Sequence, residues 1–530
     1  MSVIYGLYAA GHSPSTTLIV DGEIIHAVEE ERIKRIKSGE DYGAYPDLSL
    51  KAVEDRTNIK LKDADYVVFA EPAPPVYARR LTNDNYSKIS HHLAHNTAAY
   101  FTSGMEGKVL SISHDGGGES SFMRVYVCED GKMNEVHRLS GTNSGSLSQL
   151  WGFITNWMMG RNSNCRFEWI MCKDEGKVMG MAPDGYYDER IQKILHSILS
   201  YNDLKFYPSG TDQKTKFVME RLLEEGFFDT LKKREVFSFN LQYFTEELML
   251  RFIDDLHKRM PDYKKLCFSG GLFANVKLNQ KINELPWVEE IYILPPMGDE
   301  GLSLGAAIHK AVELGEITKP IKLKNVYFGF DYSNEEVINL ATKHDFLVKK
   351  YIVDEIATDL NKGLIIGWFQ GKMELGPRSL GARSILVRPT DYNTHAELNR
   401  RLKRYDTMPF APMIMGEFFE TVFPTAKSKY AAQFMTLTFP THEPWIYKIP
   451  AVIQKSDKTA RPQVVEKENL PKVWELMNSY YELSGIPLLL NTSFNAHNEP
   501  IIEHPENAFV HLKNKVIDKL VIGDYVYENK

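Results

Sequence analysis

Two stretches of the chain carry the same order of apolar and polar positions. The first reads VIYGLYAA, GHSPS, TTLIV, Asp21-Gly22 and EIIHAV; the second reads KVLSISH, DGGGES, SFMRVYV, Asp130-Gly131 and KMNEVHRL. Each is a strand, a Gly-containing turn, a strand, an Asp-Gly hairpin turn and a third strand, because Asp-Gly supplies the left-handed backbone of a tight hairpin. The repetition predicts a duplicated sheet unit, with two unrelated meanders as the alternative. Between about residues 186 and 260 the apolar period becomes helical, at Ile191, Ile194 and Leu195 and later at Leu248 and Phe252. That predicts an inserted helical subdomain. From residue 264 the chain alternates: strand KLCFS, Gly-Gly, helix LFANVKLNQKI, strand EIYIL, loop PPMGDEG, helix LSLGAAIHKAVEL. Alternation implies parallel pairing, with ligands at the carboxyl ends of the strands.

Gly315 and Pro320 mark a boundary. Beyond it, Ser333 and Glu336 form a capping box for a helix through His344. A helix EIATDLNK, a stop at Gly363 and a buried strand LIIGWF follow. The 530 residues exceed one ordinary core, so the chain divides into 1–324 and 325–530. A net charge of -7 gives no global bias toward nucleic acid or anionic membrane, though a local basic patch stays open. Cys128, Cys165, Cys172 and Cys267 form no C-x-x-C pair, which fits a reducing cytoplasm. The opening MSVIYGLYAAGHS lacks a basic leader and apolar run, so no signal peptide is expected. No run of about 18 apolar residues predicts a membrane span.

Candidate chemistry concentrates in a few segments. In HHLAHNTAAYF, a helix would place His91 and His95 on one face, fit to share a metal ion; a pair of partly exposed helix histidines has the same spacing. His92 points elsewhere. Asp115 ends a strand and opens DGGGE, whose glycines allow backbone N–H groups near a phosphate. Asp299 lies in GDEG before a helix. Two histidines with one or two carboxylates suit a divalent transition metal with positions left for phosphate oxygens. His12 follows Gly11 in a turn, where it can reach a ligand over the sheet. Lys37 ends EEERIKRIK, which reads as a solvated amphipathic helix. In GKMELGPRSLGARS, Lys372, Arg378 and Arg383 surround turn residues and suit a phosphate dianion. Lys403 and Arg404 in LNRRLKRYDTMPFAP fit either an anion site or a solvated helix. Asn491, Thr492, Ser493 and Asn495 occupy a polar loop after the strand IPLLL.

Together these segments resemble the NodU/CmcH carbamoyltransferase family. The likeness runs through VEEERIKRIK, HHLAHNTAAYF, HDGGGE, GKVMGMAPDG, FSGGLFANVKLNQKI, PPMGDEGLSLGAA, WFQGKMELGPRSLGARSIL, LKRYDTMPFAPMI and LLLNTSFNAHNEPII, in that order. The resemblance implies an α/β fold: a duplicated ribonuclease-H-like N-terminal domain of the actin and sugar-kinase type with the helical insertion, then a YrdC-like α/β domain. It implies that His91, His95, Asp115 and Asp299 hold a metal that contacts nucleotide phosphates: iron, with Zn, Mn or Mg as alternatives. It implies that Gly116, Gly117, Gly118, Gly270, Gly271, Asn275 and Gly298 approach the nucleotide, and that His12 and Lys37 lie beside the reacting carbonyl. Lys372, Arg378, Lys403, Asn491, Thr492, Ser493 and Asn495 match the region that holds carbamoyl phosphate.

The implied reaction is ATP-dependent transfer of a carbamoyl group from carbamoyl phosphate, through carbamoyl adenylate, to a hydroxyl. The family default acceptor is an antibiotic-like or sugar hydroxyl; a hydroxymethylated pyrimidine, as nucleotide or in DNA, stays open, as does a homodimer. The sequence departs from the family at His-Ser-Pro-Ser, where His-Asp is usual, and at Met408, where Arg is usual. Arg383 or Arg404 could compensate for the latter. Residues 186–260 match poorly. One alternative is a tRNA threonylcarbamoyl-type or hydrogenase-maturation enzyme, against which the dispersed cysteines argue. Another is an actin-fold kinase or ATP-binding regulator, which would not need GPRSLGARS or NTSFN.

Overall fold

Both Asp-Gly pairs adopt the left-handed turn geometry that their sequence predicts. Asp21 and Gly22 have φ of 48° and 79°, and Asp130 and Gly131 have 51° and 75°. The computed structural model describes residues 2–9, 12–37, 45–72, 86–141, 145–160, 174–209, 212–403 and 410–530. Around the first turn lie β1 (Val3–Tyr8), β2 (Ser15–Val20) and β3 (Glu23–Glu29), followed by β4 (Tyr66–Ala70) and β5 (Tyr86–Ile89). Around the second lie β6 (Val109–Gly118), β7 (Ser121–Glu129) and β8 (Lys132–Ser140). After a hairpin, β9 (Leu199–Asn202) and β10 (Lys205–Pro208), come β11 (Lys265–Ser269) and β12 (Glu290–Ile293).

The two five-stranded sheets have one topology, β3-β2-β1-β4-β5 and β8-β7-β6-β11-β12. In each, the first strand pairs antiparallel with the second and parallel with the fourth, and the fourth pairs parallel with the fifth. This is the duplicated ribonuclease-H-like α/β fold. Inner strands such as β1 are buried throughout, whereas the polar strand β8 is largely exposed.

Helix Leu302–Glu313 lies against β1 and helix His91–Thr102 at glycine contacts. A Cβ on Gly6 would stand 2.1 Å from the Ser303 carbonyl oxygen, and one on Gly305 would stand 2.0 Å from that of Ala94. The insertion is helical over Glu189–Ile198, Asp212–Glu224 and Leu231–Arg259, but the β9–β10 hairpin interrupts it, which the helical reading did not anticipate. Leu241, Phe244, Leu248, Phe252 and Leu256 form the buried stripe of its long helix.

Other local expectations shift for identifiable reasons. DGGGES is not the open turn: β6 continues through Gly118, and Glu119 and Ser120 make the turn with φ of 49° and 64°. The helix read over LFANVKLNQKI begins only at Val276, after a 3-10 turn. EEERIKRIK is not a solvated helix. Only Glu30–Lys34 is helical, it ends at Arg35 with φ 61°, and Glu30 and Arg32 are buried. The helix after the Ser333–Glu336 capping box stops at Ala341, short of His344.

The chain forms two compact units, one of residues 1–23 and 38–322, the other of residues 24–37 and 323–530. The second contains an eight-stranded sheet, β13-β22-β21-β14-β15-β20-β16-β19. Its strands are β13 (Phe346–Lys350), β14 (Ile366–Phe369), β15 (Arg383–Val387), β16 (Ala411–Met415), β19 (Gln463–Val465), β20 (Leu488–Ser493), β21 (Lys519–Ile522) and β22 (Tyr525–Asn529). A short pair, β17 (Phe439–Pro440) and β18 (Thr459–Ala460), stands apart. Asn491, Thr492 and Ser493 belong to strand β20 rather than to a loop. No described helix is long and apolar enough to cross a membrane.

Gly305→Ala should destabilise the protein by about 1–3 kcal/mol, because the added methyl overlaps the Ala94 backbone. Gly176→Ala, with nothing within 4 Å of the new methyl, should not. Chemical denaturation of both variants checks the pair.

Candidate metal centre and anion site

Ligand atoms of His91, His95, Asp115 and Asp299 lie within 4.8 Å of one another in the first unit. The histidines stand one turn apart at the start of helix His91–Thr102. The pairing of β6 with β7 shifts between His114 and Gly118. That irregularity releases Asp115 from strict alternation. Asp299 opens the short turn Asp299–Gly301 after β12. His95 Nε2 is 3.2 Å from Asp115 Oδ2 and 3.6 Å from Asp299 Oδ1; His91 Nε2 is 3.5 Å from Asp299 Oδ1. His12 joins from the β1–β2 turn, its Nε2 3.5 Å from Asp299 Oδ2.

Outer partners fix how the ligands face. His91 Nδ1 donates to the Glu71 carbonyl at 3.1 Å. His95 Nδ1 donates to Ser269 Oγ at 2.8 Å, and that hydroxyl donates to the Met297 carbonyl at 3.2 Å. Each imidazole therefore turns Nε2 toward the aspartates. The Tyr8 hydroxyl donates to Asp299 Oδ2 at 2.5 Å, leaving Oδ1 for the centre. His91 Nε2, His95 Nε2 and Asp299 Oδ1 are buried without a hydrogen-bond partner. Buried, unsatisfied ligand atoms this close together are what a bound cation satisfies once the imidazoles are neutral, so the residues fit a divalent ion.

The electrostatics agree. Burial lowers the His91 pKa, but attraction to Asp299 and Asp115 outweighs it and raises the value to about 9. Burial raises the Asp115 pKa, yet the two imidazoles hold it well below the usual carboxylate range. Without an ion, a proton supplies the positive charge that the aspartates require. His92 is separate from the cage. It is buried, hydrogen-bonded to Ser113 Oγ and the Ser121 carbonyl, and burial holds its pKa well below the usual value.

Several of the expected nucleotide residues have local partners. The N–H groups of Gly116 and Gly271 donate to the Asp115 carboxylate, and that of Gly298 to Glu300. Gly118 makes room for His91, whose ring a Cβ would approach to 2.6 Å; Gly117 lies beside it in β6. Gly270, at φ 100°, passes close to the His114 backbone. Asn275 caps its helix by accepting from Leu278 N–H and bonds to Gln242. Lys37 is half-buried in the second unit.

In the second unit, Arg383 is buried and structural. It donates to the carbonyls of Gln370, Gly371 and Phe330 and stacks on Phe369 at 3.5 Å. Lys372 donates to the Ile25 carbonyl at 3.3 Å. Arg378 neighbours Arg461, which no sequence cluster pointed out because it stands alone in TARPQ. Burial drives the Arg461 guanidinium pKa well below its ordinary range, and the positive charge of Arg378 adds to the effect. Two cations in one partly desolvated place suit an anion. Asn491 Nδ2 donates to the Ser379 carbonyl and Gln463 Oε1, while its buried Oδ1 has no partner. Asn495 closes its own turn through the Ala496 and Glu499 carbonyls. Thr492 and Ser493 face β15 across the ladder, and Lys403 is exposed after helix Tyr392–Arg401. Arg404 and Met408 lie outside the described residues. Tyr8 and Ser269 were also missed: one reads as strand core, the other as part of a glycine turn.

The family Carbamoyltransferase N-terminus matches residues 75–308, and Carbamoyltransferase C-terminus matches residues 357–529. The uncharacterized protein MJ1058 of Methanocaldococcus jannaschii is 30% identical, over 85% of this chain and 75% of its own length. Nodulation protein NolNO of Sinorhizobium fredii is 27% identical, over 98% and 79%. The 3'-hydroxymethylcephem-O-carbamoyltransferase of Amycolatopsis lactamdurans is 24% identical, over 67% and 65%.

Removing an inner ligand should differ measurably from loosening an outer one. His95→Ala should abolish measurable Mn²⁺ or Co²⁺ binding. Ser269→Ala, which keeps all four ligands, should weaken it about tenfold. Equilibrium metal titration of the full chain distinguishes the two.

Proposed function

Because the chain belongs to the carbamoyltransferase family, we propose that it moves a carbamoyl group from carbamoyl phosphate to a hydroxyl, using ATP and passing through carbamoyl adenylate. The observation that carries this reading is the cage of His91, His95, Asp115 and Asp299 with His12 at its edge. It supports the first unit, residues 1–23 and 38–322, as the nucleotide and acceptor domain. The Arg378–Arg461 pair supports residues 325–530 as the YrdC-like carbamoyl-phosphate domain.

In the second unit, Arg378, Arg461, Lys372 and Lys403 offset the phosphate dianion, and Asn491 Oδ1 accepts from the carbamoyl amide. Water cleaves the bond between the carbonyl carbon and the bridging oxygen, giving carbamate and phosphate. A carbamate oxygen then attacks the α-phosphorus of ATP, and pyrophosphate leaves. When bound at the cage, a divalent ion, iron by family likeness, supplies Lewis-acid stabilisation of nucleotide phosphates. His12 takes the proton of the acceptor hydroxyl as its oxygen attacks the carbamoyl carbon, and AMP leaves. The cephem relative acts on a hydroxymethyl group by its name, which favours a small-molecule alcohol as acceptor; a hydroxymethylated pyrimidine tests the alternative.

The full chain with carbamoyl phosphate, ATP and a panel of sugars, nucleosides and hydroxymethylated DNA should release pyrophosphate and AMP. Mass spectrometry should find one acceptor gaining a carbamoyl group. Release of ADP alone rejects the adenylate route and favours a kinase. Arg461→Met should raise KM for carbamoyl phosphate about tenfold and leave KM for ATP unchanged.

A further inference from the structure

The run VEEERIKRIK places charge where charge is expensive. Glu29, Glu30 and Arg32 are each under a tenth exposed, and residues 24–37 group with the second unit. There the segment runs beside the start of that unit. Ala27 N–H donates to the Phe328 carbonyl at 3.1 Å, and His26 Nδ1 lies 3.0 and 3.1 Å from the Phe328 and Gly329 carbonyls. Arg32 and Glu29 are ion-paired at 3.1 Å. Both also grip Gly376. Its N–H donates to Glu29 Oε1 at 2.7 Å, and its carbonyl accepts from Arg32 at 2.7 Å.

A second acid holds the other end of the same loop. Glu374 Oε1 accepts from the N–H groups of Leu380 at 2.7 Å, Arg383 at 3.2 Å and Ala382 at 3.4 Å. Ser379 Oγ donates to the Arg383 carbonyl at 2.6 Å. Pro377 and Arg378 are what lies between the two grips. A buried ion pair is poor value for stability alone, because desolvation offsets its attraction. It does fix a backbone precisely enough to aim a side chain. Arg378 stands between Gly376, held by Glu29 and Arg32, and Ser379, whose carbonyl accepts from Asn491, so the two grips set where its backbone lies.

We propose that Glu29 and Arg32 are positioning residues for the anion site of the second unit, acting through Gly376 to set where Arg378 stands. This rests on reading that loop as the carbamoyl-phosphate site. The segment that looks like a surface helix in the sequence is then part of the site's frame.

Inorganic phosphate, titrated calorimetrically into the full chain, tests it. Glu29→Gln and Arg32→Lys should each weaken phosphate binding about tenfold and raise KM for carbamoyl phosphate, with kcat and KM for ATP unchanged. Asp359→Asn, which breaks the Lys519–Asp359 pair of the same unit, should change phosphate affinity by less than about twofold. Unchanged affinity in Glu29→Gln and Arg32→Lys, with loss in Arg378→Ala, overturns the positioning role and leaves the anion site standing. Wild-type affinity in Arg378→Ala overturns the anion site, and this inference with it. If the two variants do not fold, hydrogen exchange of the wild-type chain decides. Phosphate should slow exchange at 376–383 and at 26–35 together; slowing at 376–383 alone overturns the proposal.

Discussion

Four ionisable side chains held out of water within 4.8 Å of each other are the constraint on which the first unit depends. Burying two carboxylates is unfavourable unless positive charge stands beside them. The fold supplies that charge as imidazole, and the raised His91 pKa of about 9 shows how strongly the aspartates demand it. The four groups come from a helix start, a strand and a post-strand turn that are far apart in sequence. Only correct assembly of the second ribonuclease-H-like sheet with its flanking helices brings them together. Tight backbone contacts at Gly6 and Gly305 are part of that assembly.

The second unit poses the opposite problem. Arg378 and Arg461 are like charges in a partly desolvated place, where burial and then the charge of Arg378 hold the Arg461 pKa well below its ordinary range. One unit thus concentrates negative charge that suits a cation, the other positive charge that suits an anion. Each is held by a frame of hydrogen bonds rather than by its own attraction. Ser269, Tyr8 and the Glu71 carbonyl frame the first; Glu374, Arg383 and Gln463 frame the second, where Gln463 donates to the Leu380 carbonyl.

Such frames explain why charged residues in motifs need not touch a ligand. Arg383 looked like a member of a cationic cluster, yet its guanidinium holds three backbone carbonyls beyond its own neighbour and lies on Phe369. Asn275 looked like a nucleotide contact, yet it caps a helix and bonds to Gln242. A polar atom has a limited number of hydrogen bonds to give, and where the backbone takes them they are not available to a substrate.

What the sequence determined by itself was local or periodic. The Asp-Gly turns, the repeated meander, the capping box at Ser333 and the i, i+4 histidines depend on neighbours a few residues away, so they could be read directly. The tertiary structure alone decided which distant groups meet. It turned Ser269 toward His95, set Arg461 near Arg378, and took residues 24–37 into the second unit. Those outcomes follow from three-dimensional packing and from the need to satisfy buried charge, and neither has a signature in the spacing of residues along the chain.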